Sequence, residues 1–213
     1  MKGFLFDYGA TLDTRGEHWS KVIWRAYKKI GVDATWEQYY EAYAATERRL
    51  GKGDVILPTD TFKDTLRKKI KLQMEFLNGD DNLNCIEDIV NRIYEDTKEV
   101  TEESRQVLQS IKGKYSCPMV LVSNFYGNIR TVLEEFRLDG FFDEVIESAE
   151  VGIRKPDIRI WQMAIDALNR HSPTTLQPSD ITVVGDSMEK DLLPAQALGC
   201  NTVHASKIKE LKD

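Results

Sequence analysis

Five residues of this chain combine side-chain types and settings that could do chemistry: Asp7, Ser123, Lys155, Asp186 and Asp191. Asp7 ends the apolar run Gly3-Phe4-Leu5-Phe6 and opens a turn of small residues containing Gly9, Ala10 and Thr11. A carboxylate delivered by a buried strand is costly to desolvate unless a cation or hydrogen-bond donors meet it. An aspartate that only caps the following loop would use the same residues, so this segment alone leaves both readings open. Further apolar runs also end in polar groups, with Ser123-Asn124 after Val120-Leu121-Val122, Asp186 after Val183-Val184-Gly185, and Lys155 in a third loop. Together Asp7, Asp186 and Asp191 offer hard oxygen ligands to a divalent cation, which would screen Asp7 from an incoming phosphate and polarise the phosphate oxygens. Ser123 and nearby backbone N–H groups can hold other phosphate oxygens, and Lys155 adds positive charge where a transition state gathers negative charge. Asp7 can then attack as a carboxylate nucleophile.

Elements that bring such distant residues together are legible in the hydrophobic pattern. Lys2–Phe6 reads as a buried strand. From His18 the period becomes helical through Trp19, Val22, Ile23, Ala26, Tyr27 and Ile30, stopped by Gly31. Thr35–Leu50 is a second helix with the stripe Trp36, Tyr39, Tyr40, Tyr43 and Ala44, read as core with some rings facing a cleft. A third runs from Phe62 to Leu77, closed by Asn78-Gly79, and a fourth carries Ile86, Ile89, Val90, Ile93 and Tyr94. After Thr101 a short helix (Val107, Leu108, Ile111) is stopped by Gly113, and strands then alternate with helices: Pro118–Val122, Ile129–Phe136, Glu144–Glu147, Ile160–Leu168, Ile181–Val184, Asp191–Leu198 and Asn201–His204. Such alternation predicts an α/β fold, a Rossmann-like parallel sheet core. An all-helical cap domain, residues 15–98, is inserted after the first strand of a core made of residues 1–14 and 99–213. Open parallel sheets bind ligands at the carboxyl ends of their strands, the edge where the four polar strand ends would converge.

Bulk properties narrow the function classes. With 213 residues, 41% hydrophobic and 30% charged, the chain has enough apolar mass for a substantial core. A net charge of −6 argues against nucleic acid as a partner. The one basic stretch, Arg67-Lys68-Lys69-Ile70-Lys71, lies inside a helical pattern and reads as a solvated face. Cys85, Cys117 and Cys200 are odd in number and share no metal-ligand spacing, which suggests a reducing compartment. Lacking a signal peptide pattern and any apolar run of membrane-spanning length, the sequence predicts a cytoplasmic protein without a membrane partner.

The segments FLFDYGATLD, MVLVSN, GIRKP and VVGDSMEKD resemble, in order and context, the four motifs of the haloacid-dehalogenase-like hydrolase superfamily, and the helical block resembles its cap of the first type. Each motif alone is weak, whereas four in order around a cap-sized insertion are specific. The resemblance implies Asp7 as nucleophile and metal ligand, Ser123 as the phosphate-binding hydroxyl and Lys155 as the stabilising lysine. Asp186 and Asp191 become the metal-binding acids and Gly9 contributes its backbone carbonyl. Asn124 and Thr11 are further candidate phosphate contacts. The expected activity is that of a magnesium-dependent phosphatase, with Mg2+ as cofactor and a small phosphorylated metabolite as substrate.

One position departs from the family pattern. Phosphatases of the superfamily usually carry a second Asp, a general acid and base, where this chain has Gly9. Asp13, Glu17 and His18 are candidate substitutes, each also readable as a turn or helix-start residue, and Gly9 is expected to hold a positive φ that would disfavour an Asp there. The same gap keeps open a haloacid dehalogenase, a phosphonatase using a lysine among Lys21, Lys28 and Lys29, and a non-catalytic phosphate-binding module.

Overall fold

A computed structural model of the chain describes residues 2–78 and 83–212. Five strands, β1 (Gly3–Phe6), β2 (Met119–Ser123), β3 (Glu144–Glu147), β4 (Ile181–Gly185) and β5 (Asn201–His204), form one sheet. Their order is β3-β2-β1-β4-β5, and every pairing is parallel. The expected α/β architecture is therefore present. Phe4 and Phe6 of β1 pack on one face with Leu108, Ile111 and Leu121, while Leu5 packs on the other with Val122, Trp161 and Leu168. Burial on both faces is why these strands read as unbroken apolar runs rather than as alternating ones. Phe6 stands opposite both Leu121 and Val184, so the chain leaves β1, β2 and β4 on the same edge, at Asp7, Ser123 and Gly185.

Between β1 and β2 the described chain is helix and loop. Helix α1 (Trp19–Ile30) begins at His18, whose Nδ1 accepts from the Ser20 N–H, and ends at Gly31, where φ is 86°. Helix α2 (Trp36–Leu50) starts in a capping box of Thr35 and Gln38. Helix α3 runs Phe62–Asn78. Its expected closure at Gly79 lies outside the described residues.

Helix α4 corrects the expected pattern. Instead of a fourth cap helix, a break near residue 98 and a short helix ending at Gly113, one 33-residue helix runs Leu83–Tyr115. The reason is a continuous stripe: Ile93, Thr97, Val100, Thr101, Ser104, Val107, Leu108 and Ile111 are all buried at helical spacing. Threonine and serine in that stripe disguise it in the sequence. Gly113 is accommodated within the last turn, at a propensity cost of about 1 kcal/mol. The remaining α-helices of the described residues are α5 (Ile129–Glu135), α6 (Ser148–Val151), α7 (Ile158–His171) and α8 (Leu193–Ala197). The helix expected to begin at Asp191 is preceded by a π-helical turn, Met188–Leu192, that carries Asp191 inside it.

The unbroken α4 generates a test. Lys98 is exposed in mid-helix, so Lys98→Pro removes a helix hydrogen bond without disturbing a buried side chain. It should lower unfolding stability by about 3 kcal/mol or more in a denaturant titration. A change near zero would mean that the helix is broken there in solution.

Candidate active site

Each candidate side chain is positioned by a strand end and the turn that follows it. The Asp7 N–H continues the sheet by donating to the Val184 carbonyl at 2.9 Å. The next residues curl back, with the Thr11 and Leu12 N–H groups donating to the Tyr8 carbonyl at 3.1 and 2.8 Å. That curl puts Thr11 behind the carboxylate, where its hydroxyl donates to Asp7 Oδ2 at 3.0 Å. Thr11 does not line the cleft, which corrects its expected place at a phosphate. The positive φ expected at Gly9 belongs instead to its neighbour Ala10, at 64°. A Cβ built on Gly9 meets nothing within 4 Å.

Lys155 is 5% exposed and is the hub of the site. Its Nζ lies 2.5 Å from Asp7 Oδ1 and 2.8 Å from Asp191 Oδ1, and donates to the Val122 carbonyl at 3.1 Å. The Trp161 ring lies beneath it, 5.4 Å from Nζ to the ring centroid. Asn124 holds the lysine loop from both sides: its Nδ2 donates to the Lys155 carbonyl and its Oδ1 accepts from the Lys155 N–H, each at 3.0 Å. Both ends of that amide are thus engaged by the lysine loop, while Asn124 itself lines the cavity.

Asp186 comes from the loop after β4 and Asp191 from the π-helical turn that follows it. Asp191 Oδ2 accepts from the Ser187 N–H at 3.0 Å. Gly185 is required here, because a Cβ at that position would stand 2.5 Å from Asp191 Cβ. Asp7, Asp186 and Asp191 each offer an oxygen, all within 4.8 Å of one another. Asp191 Oδ1 is covered and has no hydrogen bond of ordinary geometry, only its ionic contact with Lys155. Three carboxylates against one lysine leave surplus negative charge, and the donor set is all hard oxygen. Such a group suits a divalent cation. Asp7, Asp186 and Asp191 are the residues that would hold it.

These groups open into a cavity of about 830 Å³ also lined by Gly9, Ser123 and Asn124. Glu17 and His18 reach the cavity, whereas Asp13 does not. Asp13 is buried behind the turn, accepting from the Ala10 N–H at 2.6 Å and from Trp19 Nε1 at 3.0 Å. Helices α2 and α3 add Tyr43, Glu47 and Lys69 to the lining. Lys69 corrects the reading of residues 67–71 as a solvated face, for it is 8% exposed. Counting from Phe62 through Thr65, Leu66, Lys69, Ile70, Gln73 and Met74 puts it on the buried stripe of α3, a signal masked by its charged neighbours. Neither Glu47 nor Tyr126, which also lines the cavity, is marked by any local motif.

Burial has the largest effect on the Asp7 carboxyl and raises it, Lys155 lowers it, and Asp191 and Asp186 raise it again, leaving it at about 7. Burial also raises Asp186, with Asp191 adding to it. A folded value above the unfolded one, about 3.9, means that ionised Asp7 costs the cation-free protein stability. That cost is absent below the unfolded value and fully present above about 7. A cation takes the ionised form and cancels the cost. The rise in Tm on adding Mg2+ over chelator should therefore be larger near about pH 8 than near about pH 5.5. An increment that is equal or larger at the acid end would contradict this charge balance.

Comparison with known proteins gives the family and the fold. A mouse (Mus musculus) protein named haloacid dehalogenase-like hydrolase domain-containing protein 3 is 26% identical over 178 residues, 81% of this chain and 66% of its own. A glyceraldehyde 3-phosphate phosphatase from Methanocaldococcus jannaschii is 33% identical over 75 residues, 34% of this chain and 30% of its own. The chain spans about a third to two thirds of the length of the curated relatives it matches. Among solved structures, a HAD-hydrolase, YfnB from Bacillus subtilis, described as bound to magnesium, aligns with a TM-score of 0.56 at 15% identity over 94% of this chain and 86% of that one. A dehalogenase described with an intermediate complex aligns at 0.62 and 18% identity over 96% and 84%. At those identities the likeness is one of fold. The sequence model named haloacid dehalogenase-like hydrolase matches residues 1–199, nearly the whole chain, and with the parallel sheet and acidic strand ends in place the chain belongs to the haloacid dehalogenase-like hydrolases.

Proposed function

We propose that this hydrolase is a magnesium-dependent phosphatase of a small phosphorylated metabolite, acting through an aspartyl-phosphate on Asp7. In this reading the helices of residues 15–98 act as a cap over a catalytic core of residues 1–14 and 99–213. The observation that carries it is the charge balance at the strand ends: Asp7, Asp186 and Asp191 gathered within 4.8 Å around a single lysine. A dehalogenase, which needs no cation, has no use for that surplus of carboxylates. A phosphonatase needs a neutral cap amine. At the cleft Lys69 is held in its charged form, because burial lowers its pKa and Glu47 and Tyr43 more than reverse that. Of the expected candidates Lys21, Lys28 and Lys29, it is Lys21 that lines the cavity, and borohydride trapping on substrate is the measurement that tests it. The family resemblance and a named phosphatase relative add support.

Bound Mg2+ would supply electrophilic charge to the phosphate oxygens and counter the carboxylates. Asp7 bonds phosphorus through a carboxylate oxygen while the bond from phosphorus to the leaving oxygen breaks. Thr11 and Lys155 fix the carboxylate by one contact on each oxygen, at 3.0 and 2.5 Å, which limits its rotation before attack. Ser123 at the end of β2 receives a phosphate oxygen, and the Lys155 ammonium, its donors given to Asp7, Asp191 and the Val122 carbonyl, acts on the phosphate through its charge. Water then attacks phosphorus, releasing inorganic phosphate and restoring Asp7.

The leaving oxygen needs a proton, and Gly9 offers none. Glu17 is engaged by Arg25 Nη1 at 2.6 and 2.8 Å. His18 Nδ1 accepts the Ser20 N–H, so the neutral ring carries its proton on Nε2. Burial, then Lys190, lowers the His18 pKa, which favours that neutral form. Neither residue replaces a positioned carboxylic acid.

Turnover should accordingly depend on leaving-group pKa, with aryl phosphates far better than alkyl phosphates. The open space at Gly9 and its ordinary φ make Gly9→Asp a clean substitution. It should raise alkyl-phosphate kcat/KM by up to about 10²–10⁴-fold, and Asp7→Asn should abolish turnover in both backgrounds. A wild-type enzyme indifferent to the leaving group and unimproved by a folded Gly9→Asp variant would show that another residue already supplies the proton. Absence of turnover on every phosphate tested with Mg2+ would sink the phosphatase reading.

A further inference from the structure

In the wall of the same cavity, Glu47, Lys69 and Tyr126 close a triangle of contacts. Lys69 Nζ lies 2.7 Å from Glu47 Oε1 and donates to the Tyr126 hydroxyl at 2.9 Å, and that hydroxyl donates to Glu47 Oε2 at 2.7 Å. The three residues come from α2, α3 and the loop after β2, so the triangle joins the helical block to the loop that begins at Ser123. Replacing a buried ion pair by apolar side chains is often neutral or stabilising, and aromatic residues already surround this one. The Lys69 Nζ stands 6.0 Å from the Tyr43 ring centroid and 5.2 Å from that of Tyr126. Packing alone therefore gives no reason for an ion pair at this place in a cavity wall.

We propose that Glu47, Lys69 and Tyr126 form a subsite that reads hydroxyl groups on an uncharged leaving group, which makes the preferred substrate a polyol or sugar phosphate. The inference rests on the phosphatase reading for the reaction but not for the recognition. The unused bonding capacity supports it. Glu47 lines the cavity with its side chain about a third exposed, and its carboxylate, which Lys69 and Tyr126 engage by one contact on each oxygen, keeps lone pairs that can accept from a ligand hydroxyl. The Lys69 ammonium has three N–H donors and can give one to a hydroxyl oxygen. Neighbouring hydroxyls on one carbon chain satisfy both partners at once and leave the pair intact.

Charge supplies the selectivity. Glu47 and Lys69 sum to zero, so a leaving group with its own carboxylate or second phosphate would have to displace Glu47 from Lys69 and be buried beside it. A leaving group without hydroxyls would displace cavity water from Glu47 and Lys69 and return no hydrogen bond, a cost that a site built for hydroxyls turns into discrimination. The aromatic faces of Tyr43 and Tyr126 beside the triangle suit the C–H faces of a polyol.

A matched set of three-carbon phosphates tests this: glycerol 3-phosphate, n-propyl phosphate and 3-phosphoglycerate. Their kcat/KM values are measured with Mg2+ for the wild type, and their affinities by calorimetry for Asp7→Asn, in which chemistry is blocked. Glycerol 3-phosphate should lead each of the others by about tenfold in both measurements, the scale of one hydrogen bond to a charged group. Glu47→Gln, which frees the lysine charge, should swing the ratio toward 3-phosphoglycerate by about tenfold. Tyr126→Phe should shrink the lead of glycerol 3-phosphate over propyl phosphate, and it carries the test if thermal unfolding shows that Glu47→Gln is not folded. Turnover of all three within about twofold of one another, or a Glu47→Gln ratio equal to that of the wild type, would overturn the subsite and leave the phosphatase standing. No turnover, together with the predicted affinity order, would overturn the phosphatase and leave the subsite. No turnover and no affinity order would remove both.

Discussion

Lys155 is wedged between two buried carboxylates at the edge of the sheet, and the surrounding structure serves to keep it there. An ammonium this deeply enclosed is tolerable only because Asp7 and Asp191 stand within 2.5 and 2.8 Å of it, and those carboxylates are tolerable only because it is present. Around this contact the local details have a common purpose. Asn124 grips the lysine's own backbone, Trp161 closes the space below its ammonium, and Gly185 gives up a side chain so that Asp191 can approach the strand. The lysine answers only one of three carboxylates. What is left is a directed surplus of negative charge at the mouth of a cavity, which makes the site receptive to a cation and, through it, to an anion.

The helical block is tied to the sheet in ways that matter for the cleft. Helix α4 passes without interruption from that block to the sheet, and Ser104 on it donates to the Leu12 carbonyl at 2.8 Å, holding the helix against the turn that follows Asp7. A second tie runs through α5, where Asn128 Nδ2 donates to the Asp60 carbonyl and to Thr65 Oγ1, both at 2.8 Å. These ties, together with the contacts of Lys69 and Glu47 with Tyr126, register the wall bearing Glu47 and Lys69 against the strand ends. This gives the cavity a definite second pole, facing whatever the phosphate carries.

Gly9 is the point at which chemistry and structure pull apart. The turn has room for a side chain there and no backbone constraint against one, and the strained residue is Ala10 beside it. Its consequence falls on proton transfer, because the nearby candidates are already committed. Asp13 is held behind the turn by Trp19, Glu17 is paired with Arg25, and His18 caps α1.

By itself the sequence determined the parallel sheet, the helical insertion and the identity of the strand-end residues, because each is a local property. A doubly buried strand must be apolar along its length, and a chain leaving it into a loop must change character, so Asp7, Ser123 and Asp186 are marked by what precedes them. The vacancy at Gly9 is equally local. The stripes through α4 and through Lys69 of α3 were also written in the sequence, obscured by buried threonines in one and by flanking lysines in the other. Only the tertiary structure decided that Thr11 backs Asp7, that Asn124 clamps the Lys155 loop, and that Glu47 meets Tyr126, 79 residues away in the chain. Those contacts depend on how one element seats against another. That seating is fixed by the summed packing of many side chains, which no spacing within a single segment records.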